Sequence, residues 1–161
     1  MTKAIYPGSF DPMTMGHAGI AERAARLFEE LIICVYDSPL SKSLLFSTED
    51  RVALAEASTE HLPNVRVTTY ARDLTVNLAR QLGATAMIRG LRNGDDLVSE
   101  MELAQMNRQL DPEIESVFIM TAAEHQFVSS SLLKEAASLG GDISGLVSPA
   151  VAEALRQKYH T

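Results

Sequence analysis

The sequence predicts an α/β domain built on a five-stranded parallel sheet with helices on both faces, and three observations carry that prediction. Short runs of strand length and apolar or alternating pattern recur five times along the 161 residues. Stretches with helical periodicity separate them, as parallel strands require of their crossovers. Residues 31–36 (LIICVY) are apolar without alternation, which suits a central strand buried on both faces.

In order, residues 3–6 (KAIY) read as the first strand, and Ile20, Ala24, Leu27, Phe28 and Leu31 mark the apolar stripe of the helix after it. The second strand is 31–36. Ser47 and Asp50 have the spacing of a capping box opening a helix over 48–62. Residues 64–70 (NVRVTTY) alternate as a third strand, and 73–83 form a short helix closed by Gly83 at C′. Residues 85–90 (TAMIRG) are the fourth strand, followed by a helix over about 95–110 with Leu97, Met101, Ala104 and Leu110 on one side. Residues 115–121 (ESVFIMT) are the fifth. Serines at 129–131 open a helix that Gly140 and Gly141 stop, and Ser148 with Pro149 at N1 opens a last helix to about Lys158.

A chain of this length, 46% hydrophobic and 22% charged, forms one domain over 1–161 without needing a metal or disulfide. No leader-like segment or membrane-length apolar run is present, so a cytoplasmic protein with no membrane partner is expected. Cys34 lies in the apolar second strand and reads as an inert core thiol. The net charge of −7 argues against a nucleic-acid surface, yet leaves room for a small anionic ligand where cations gather locally.

In parallel α/β sheets ligands bind at the carboxyl ends of the strands, and the unusual residues of this chain cluster there. PGSFDPMTMGH follows the first strand, DSPLSK with Lys42 the second, RGLRNGDD the fourth and TAAEHQFVSSS the fifth. These loops bring Ser9, His17, Lys42, Arg89, Arg92 and Ser129, Ser130 and Ser131 toward one cleft. The first loop is neither a Walker A loop nor a dinucleotide G-x-G-x-x-G turn. It still suits phosphate: Gly8 permits close backbone approach, Ser9 offers a hydroxyl, and His17 stands at a helix N-terminus that favours anions. A plain capping or packing role for His17 remains open from sequence. Arg89 and Arg92 of IRGLR would repel one another unless anions lie between them, which points to a phosphate-rich ligand; two solvated surface arginines are the alternative. Ser129 to Ser131 suit a helix cap as well as a phosphate, and Glu100 alone reads as a solvated helix face.

The ordered set YPGSFDPMTMGH, IRGLR, EMELAQMNR, ESVFIM and VSSSLLKE resembles the bacterial phosphopantetheine adenylyltransferases, whereas T-x-G-H alone marks only the wider nucleotidyltransferase superfamily. The resemblance implies a Rossmann-like fold and transfer of AMP from ATP to 4′-phosphopantetheine with Mg2+, giving dephospho-coenzyme A and pyrophosphate. It also implies a homohexamer, a dimer of trimers, and coenzyme A as a feedback ligand. Carried over by motif, His17, Lys42 and Arg92 are catalytic, and Ser9, Lys42, Thr75 and Arg89 bind phosphopantetheine. Ser9, Phe10, His17, Gly90, Leu91, Arg92 and Glu100 hold ATP, together with His125, Gln126, Phe127, Val128 and the three serines from Ser129. Met15, the acidic Asp95 and Asp96, and His125 depart from the family pattern. The alternatives are another nucleotidyltransferase with a different phosphate acceptor and a noncatalytic nucleotide-sensing module.

Overall fold

The computed structural model describes residues 1–37 and 43–160. The strands are β1 (Lys3–Gly8), β2 (Glu30–Tyr36), β3 (Val65–Tyr70), β4 (Ala86–Leu91) and β5 (Glu115–Met120). The helices are α1 (Met15–Ala25), α2 (Thr48–Thr59), α3 (Thr75–Gln81), α4 (Gly94–Leu110), α5 (Ser130–Ser138) and α6 (Pro149–His160). The strands form one parallel sheet in the order β3-β2-β1-β4-β5. The predicted fold class is therefore the observed one.

The chain winds outward from β1 to β3 and then returns to place β4 on the other side of β1. Ligand crevices form at such a reversal. The register deepens it: β1 pairs with β2 over six residues, from Lys3 with Glu30 to Gly8 with Val35, whereas β1 and β4 pair only at Ala4 with Ala86 and Ile5 with Met87. Beyond Ile5 the two central strands part. The cleft opens in that gap.

Alternation along the strands divides the core. Ala4, Tyr6, Leu31, Ile33, Val35 and Ile88 face Ala18, Ile20, Ala21 and Ala24 of α1 and Ala55 of α2. Ile5, Ile32, Cys34 and Met87 face Val76, Leu78 and Ala79 of α3 on the other side. Burial pushes the Cys34 thiol up to about 12, in keeping with an inert core residue. A third cluster joins α5 and α6 to Phe46 and Leu54.

Caps define most helix ends. Gly83 and Gly140 follow α3 and α5 with φ of 72° and 82°, the left-handed conformation expected of a C′ glycine. The predicted stripe of α1 runs too far: the helix stops at Ala25, Leu27 is exposed and Leu31 belongs to β2. The cause is Asn64, whose amide donates to the carbonyls of Ala25 at 2.8 Å and Phe28 at 3.0 Å and fixes a turn there. Ser47 caps α2 by accepting from Asp50 N–H at 3.1 Å. A full reciprocal capping box is found at α1, between Thr14 and His17. In α4 only Asn107 is buried, so the side predicted apolar faces outward in the single chain.

Candidate active site

The cleft over the β1/β4 gap measures about 1150 Å³. Of the residues predicted for the site, Ser9, Phe10, His17, Arg89, Gly90, Arg92, Val128, Ser130 and Ser131 line it. Lys42 lies outside the described residues. Thr75, Leu91, Glu100, His125, Gln126, Phe127 and Ser129 are not among the lining residues.

The loop between β1 and α1 is shaped from within. Phe10 is buried with φ of 47°, a conformation that strains a residue with a side chain, and its ring packs edge-on against Tyr6 and His17, both at 5.2 Å. A Cβ on Gly8 would stand 3.0 Å from the Phe10 ring, so glycine lets the ring fold under the loop. Asp11 is buried and accepts from the backbone N–H of Leu45 at 2.9 Å and of Phe46 at 3.0 Å, and from Lys134 Nζ at 2.8 Å. Burial raises the Asp11 pKa, but these hydrogen bonds and the Lys134 charge outweigh it, leaving the carboxyl below its usual range.

Beneath the cleft lies Arg51 of α2, 1% exposed. Its guanidinium donates to the carbonyls of Ser9 and Tyr36, both at 2.8 Å, and of Phe46 at 3.3 Å, and to Thr48 Oγ1 at 3.0 Å. It therefore joins the chain after β1 to the end of β2 and the segment entering α2.

His17 is held by the cap predicted as its plainer role. Thr14 N–H donates to His17 Nδ1 at 3.1 Å, and His17 N–H donates to Thr14 Oγ1 at 3.3 Å. A ring whose Nδ1 accepts keeps its proton on Nε2. Burial, aided by the Arg92 charge, lowers the imidazole pKa to about 4, so the ring is neutral near pH 7 and offers one donor. Capping thus leaves Nε2 uncommitted, because it uses the other nitrogen.

The arginines of IRGLR are compensated by the protein itself, contrary to the sequence argument that anionic ligand must separate them. Arg89 makes a two-pronged pair with Glu100, Nε to Oε2 at 2.8 Å and Nη2 to Oε1 at 2.7 Å. Arg92 donates to Asp96 through Nε at 3.0 Å and Nη2 at 3.2 Å. Both carboxylates belong to α4. The Glu100 hydrogen bonds raise the Arg89 pKa further. Gly90 lies between them, and a Cβ there would crowd the δ-methyl of Ile20 and make that side chain shift.

The serines divide their work. Ser129 caps α5 by accepting from Leu132 N–H at 3.1 Å, Ser130 donates to the Pro12 carbonyl at 2.9 Å, and Ser131 lines the cleft. Among the described residues no group of three or more His, Cys, Asp or Glu could hold a metal ion. No described helix is long and apolar enough to cross a membrane.

Asp11, Thr14, Arg51 and Lys134 were not singled out from sequence. Arg51 and Lys134 each lie one helical turn or more inside amphipathic helices, where a cation reads as solvent-facing. Asp11 had one signal, a carboxylate between two special residues in FDP.

The sequence profile of the cytidylyltransferase-like family matches residues 5–136. A protein of Roseiflexus sp. (strain RS-1) named phosphopantetheine adenylyltransferase is 52% identical over 159 residues, covering 99% of this chain and 98% of that protein. One of the same name from Thermomicrobium roseum is 48% identical over 161 residues, covering 99% and 96%. A crystal structure from Vibrio parahaemolyticus, described as a candidate nicotinate-nucleotide adenylyltransferase, superposes with a TM-score of 0.70 over 96% of this chain and 99% of that one. At 20% identity that likeness concerns the fold alone. The T-x-G-H loop, the paired arginines and the full-length similarity agree, and the chain belongs to the cytidylyltransferase-like family and, within it, to the phosphopantetheine adenylyltransferases.

Proposed function

We propose that this chain transfers AMP from ATP to 4′-phosphopantetheine, giving dephospho-coenzyme A and pyrophosphate. The observation that carries this reading is a neutral, capped His17 at the mouth of α1, lining one cleft with Ser9, Arg89 and Arg92. Such an array suits two phosphate-bearing ligands. The relatives named for the activity support it over the full chain length.

The chemistry follows from the ligands. The acceptor's phosphate is ionised at neutral pH, so one of its oxygens attacks the α-phosphorus without a general base. The bond from the α-phosphorus to the bridging oxygen breaks, and its electron pair leaves with pyrophosphate. What the protein supplies is alignment and preorganised donors. His17 Nε2–H serves the charge developing at the α-phosphate, Arg92 and the α5 serines the nucleotide phosphates, and Ser9 both ligands. Arg89, held by Glu100, serves the acceptor phosphate, with Lys42, which follows β2 in the sequence.

Mg2+ enters as the ATP complex. It characteristically keeps phosphate and water ligands, which accords with a cleft whose one carboxylate among the described lining residues, Asp11, is committed to Lys134. The homohexamer, coenzyme A as feedback ligand and a cytoplasmic setting belong to the same proposal. An apolar outer face on α4, with Val98, Met101 and Met106 exposed, supports association of copies.

The test is pyrophosphate release from Mg-ATP with and without 4′-phosphopantetheine. Release that requires this acceptor is expected. ATP binding without turnover for any acceptor would mean a sensing module, and turnover only with another acceptor a different nucleotidyltransferase.

A further inference from the structure

We infer that Arg72 is a further acceptor-binding residue, the cation that first captures the phosphorylated acceptor at the β3 side of the cleft. This rests on the adenylyl-transfer reading above.

Among the described residues that line the cleft, the cations other than Arg72 are neutralised in place. Arg89 is paired with Glu100 at 2.7 Å, Arg92 with Asp96 at 3.0 Å and Lys134 with Asp11 at 2.8 Å. Each pair contributes almost no net charge, and the chain carries −7 overall. A polyanion approaching such a protein is repelled unless an uncompensated positive charge stands at the entrance. Arg72, just beyond β3, lines the cleft and is exposed, and it has no hydrogen bond or ion pair to any described residue. Its neighbour Asp73 makes no ion pair with it, its carboxylate turning instead to Leu74 N–H at 2.7 Å and the Asn77 amide at 2.9 Å.

Position selects the ligand. The strand order puts β3 on the opposite side of β1 from β4 and β5, beyond whose ends lie Arg92 and the α5 serines. Beside Arg72 stand Tyr36 and Tyr70, at the ends of β2 and β3, with rings 5.0 Å apart and both lining the cleft. An aromatic wall next to one cation suits a phosphomonoester on a long neutral arm. It does not suit a triphosphate.

The experiment measures kcat/KM for 4′-phosphopantetheine and KM for ATP across ionic strength in the wild type, Arg72→Gln, Arg72→Glu and Arg156→Gln. Arg156→Gln makes the same charge change on α6, outside the cleft. At low salt Arg72→Gln should lower kcat/KM for the acceptor about tenfold, with a larger loss for Arg72→Glu and a gap that narrows as salt rises. KM for ATP should hold, and Arg156→Gln should match the wild type. An unchanged Arg72→Gln, an equal loss toward ATP, or an equal loss in Arg156→Gln would overturn the inference. If the wild type itself releases no pyrophosphate with this acceptor, the adenylyl-transfer reading falls instead. Calorimetric titration of 4′-phosphopantetheine then tests Arg72 alone, and equal affinity in wild type and Arg72→Gln overturns its role.

Discussion

Thr14 and His17 hold each other: the backbone N–H of Thr14 donates to the imidazole Nδ1 at 3.1 Å while the backbone N–H of His17 donates to the Thr14 hydroxyl at 3.3 Å. The sequence allowed His17 to be either a cap or a ligand group. The geometry shows the cap, which fixes the ring and leaves Nε2–H as its donor, and the adenylyl-transfer reading then uses that donor. His17→Ala should then lower kcat on the order of a hundredfold or more while leaving ATP affinity nearly intact. Steady-state kinetics with a separate ATP titration decide it; near-normal turnover would reduce His17 to a cap.

The same burial has a stability consequence. The folded His17 pKa is depressed to about 4 from an ordinary 6.5, so below pH 6.5 the unfolded chain takes up a proton that the folded chain refuses. Stability present above pH 6.5 is lost as pH falls toward 4, by on the order of 3 kcal/mol from this group. Urea melts of wild type and His17→Asn between pH 7 and 4 should diverge in slope, the variant lacking this component. Parallel slopes would contradict a ring held neutral in the fold.

Asp11 and Lys134 form a pair in which the carboxylate is almost fully buried. Removing one partner leaves an uncompensated charge, and for Asp11 also two backbone donors. Asp11→Ala should cost about 3 kcal/mol, Lys134→Met somewhat less because Nζ is nearer solvent, and the double variant less than their sum. Chemical denaturation in a double-mutant cycle measures the coupling. Simple additivity would show that the pair contributes nothing as a pair.

Arg89 and Arg92 should separate by ligand. Arg89→Ala is expected to weaken 4′-phosphopantetheine binding and Arg92→Ala to weaken ATP binding, each by roughly ten- to a hundredfold. Glu100→Gln discriminates between two roles of the carboxylate. Because Glu100 grips Arg89 at 2.7 and 2.8 Å, its loss should fall mainly on the acceptor, whereas direct contact with ATP would put it on the nucleotide. Calorimetry with each ligand separately reads both. Identical losses for both ligands in all three variants would mean one shared electrostatic pool.

Much of this architecture was legible in the sequence because its signals are local. The run at 31–36, Gly83 at its C′ position and the serines at 129–131 each announce an element through residues next to one another. The loops then fell at the carboxyl ends of strands, and Ser9, His17, Arg89 and Arg92 met as expected. What stayed hidden depends on the tertiary fold. Asn64 ends α1 from 39 residues away, Arg51 reaches back 42 residues to Ser9, and Lys134 reaches 123 residues to Asp11. The Arg92 and Asp96 pair, four residues apart, could have been read from spacing. Arg89 and Glu100, eleven apart across a strand and a helix, could not.

Asp96 and Glu100 lie four positions apart on α4, about 6 Å along its axis. The helix acts as a spacing gauge. β4 carries Arg89 and Arg92 follows just past its end, but the helix pitch meters the interval between their guanidinium heads. Bending or unwinding α4 near Val98 would change the distance between two ligand-holding charges at once, without altering either arginine. Substitutions in that turn, remote from any phosphate, should therefore register as errors of alignment between substrates rather than as loss of either one.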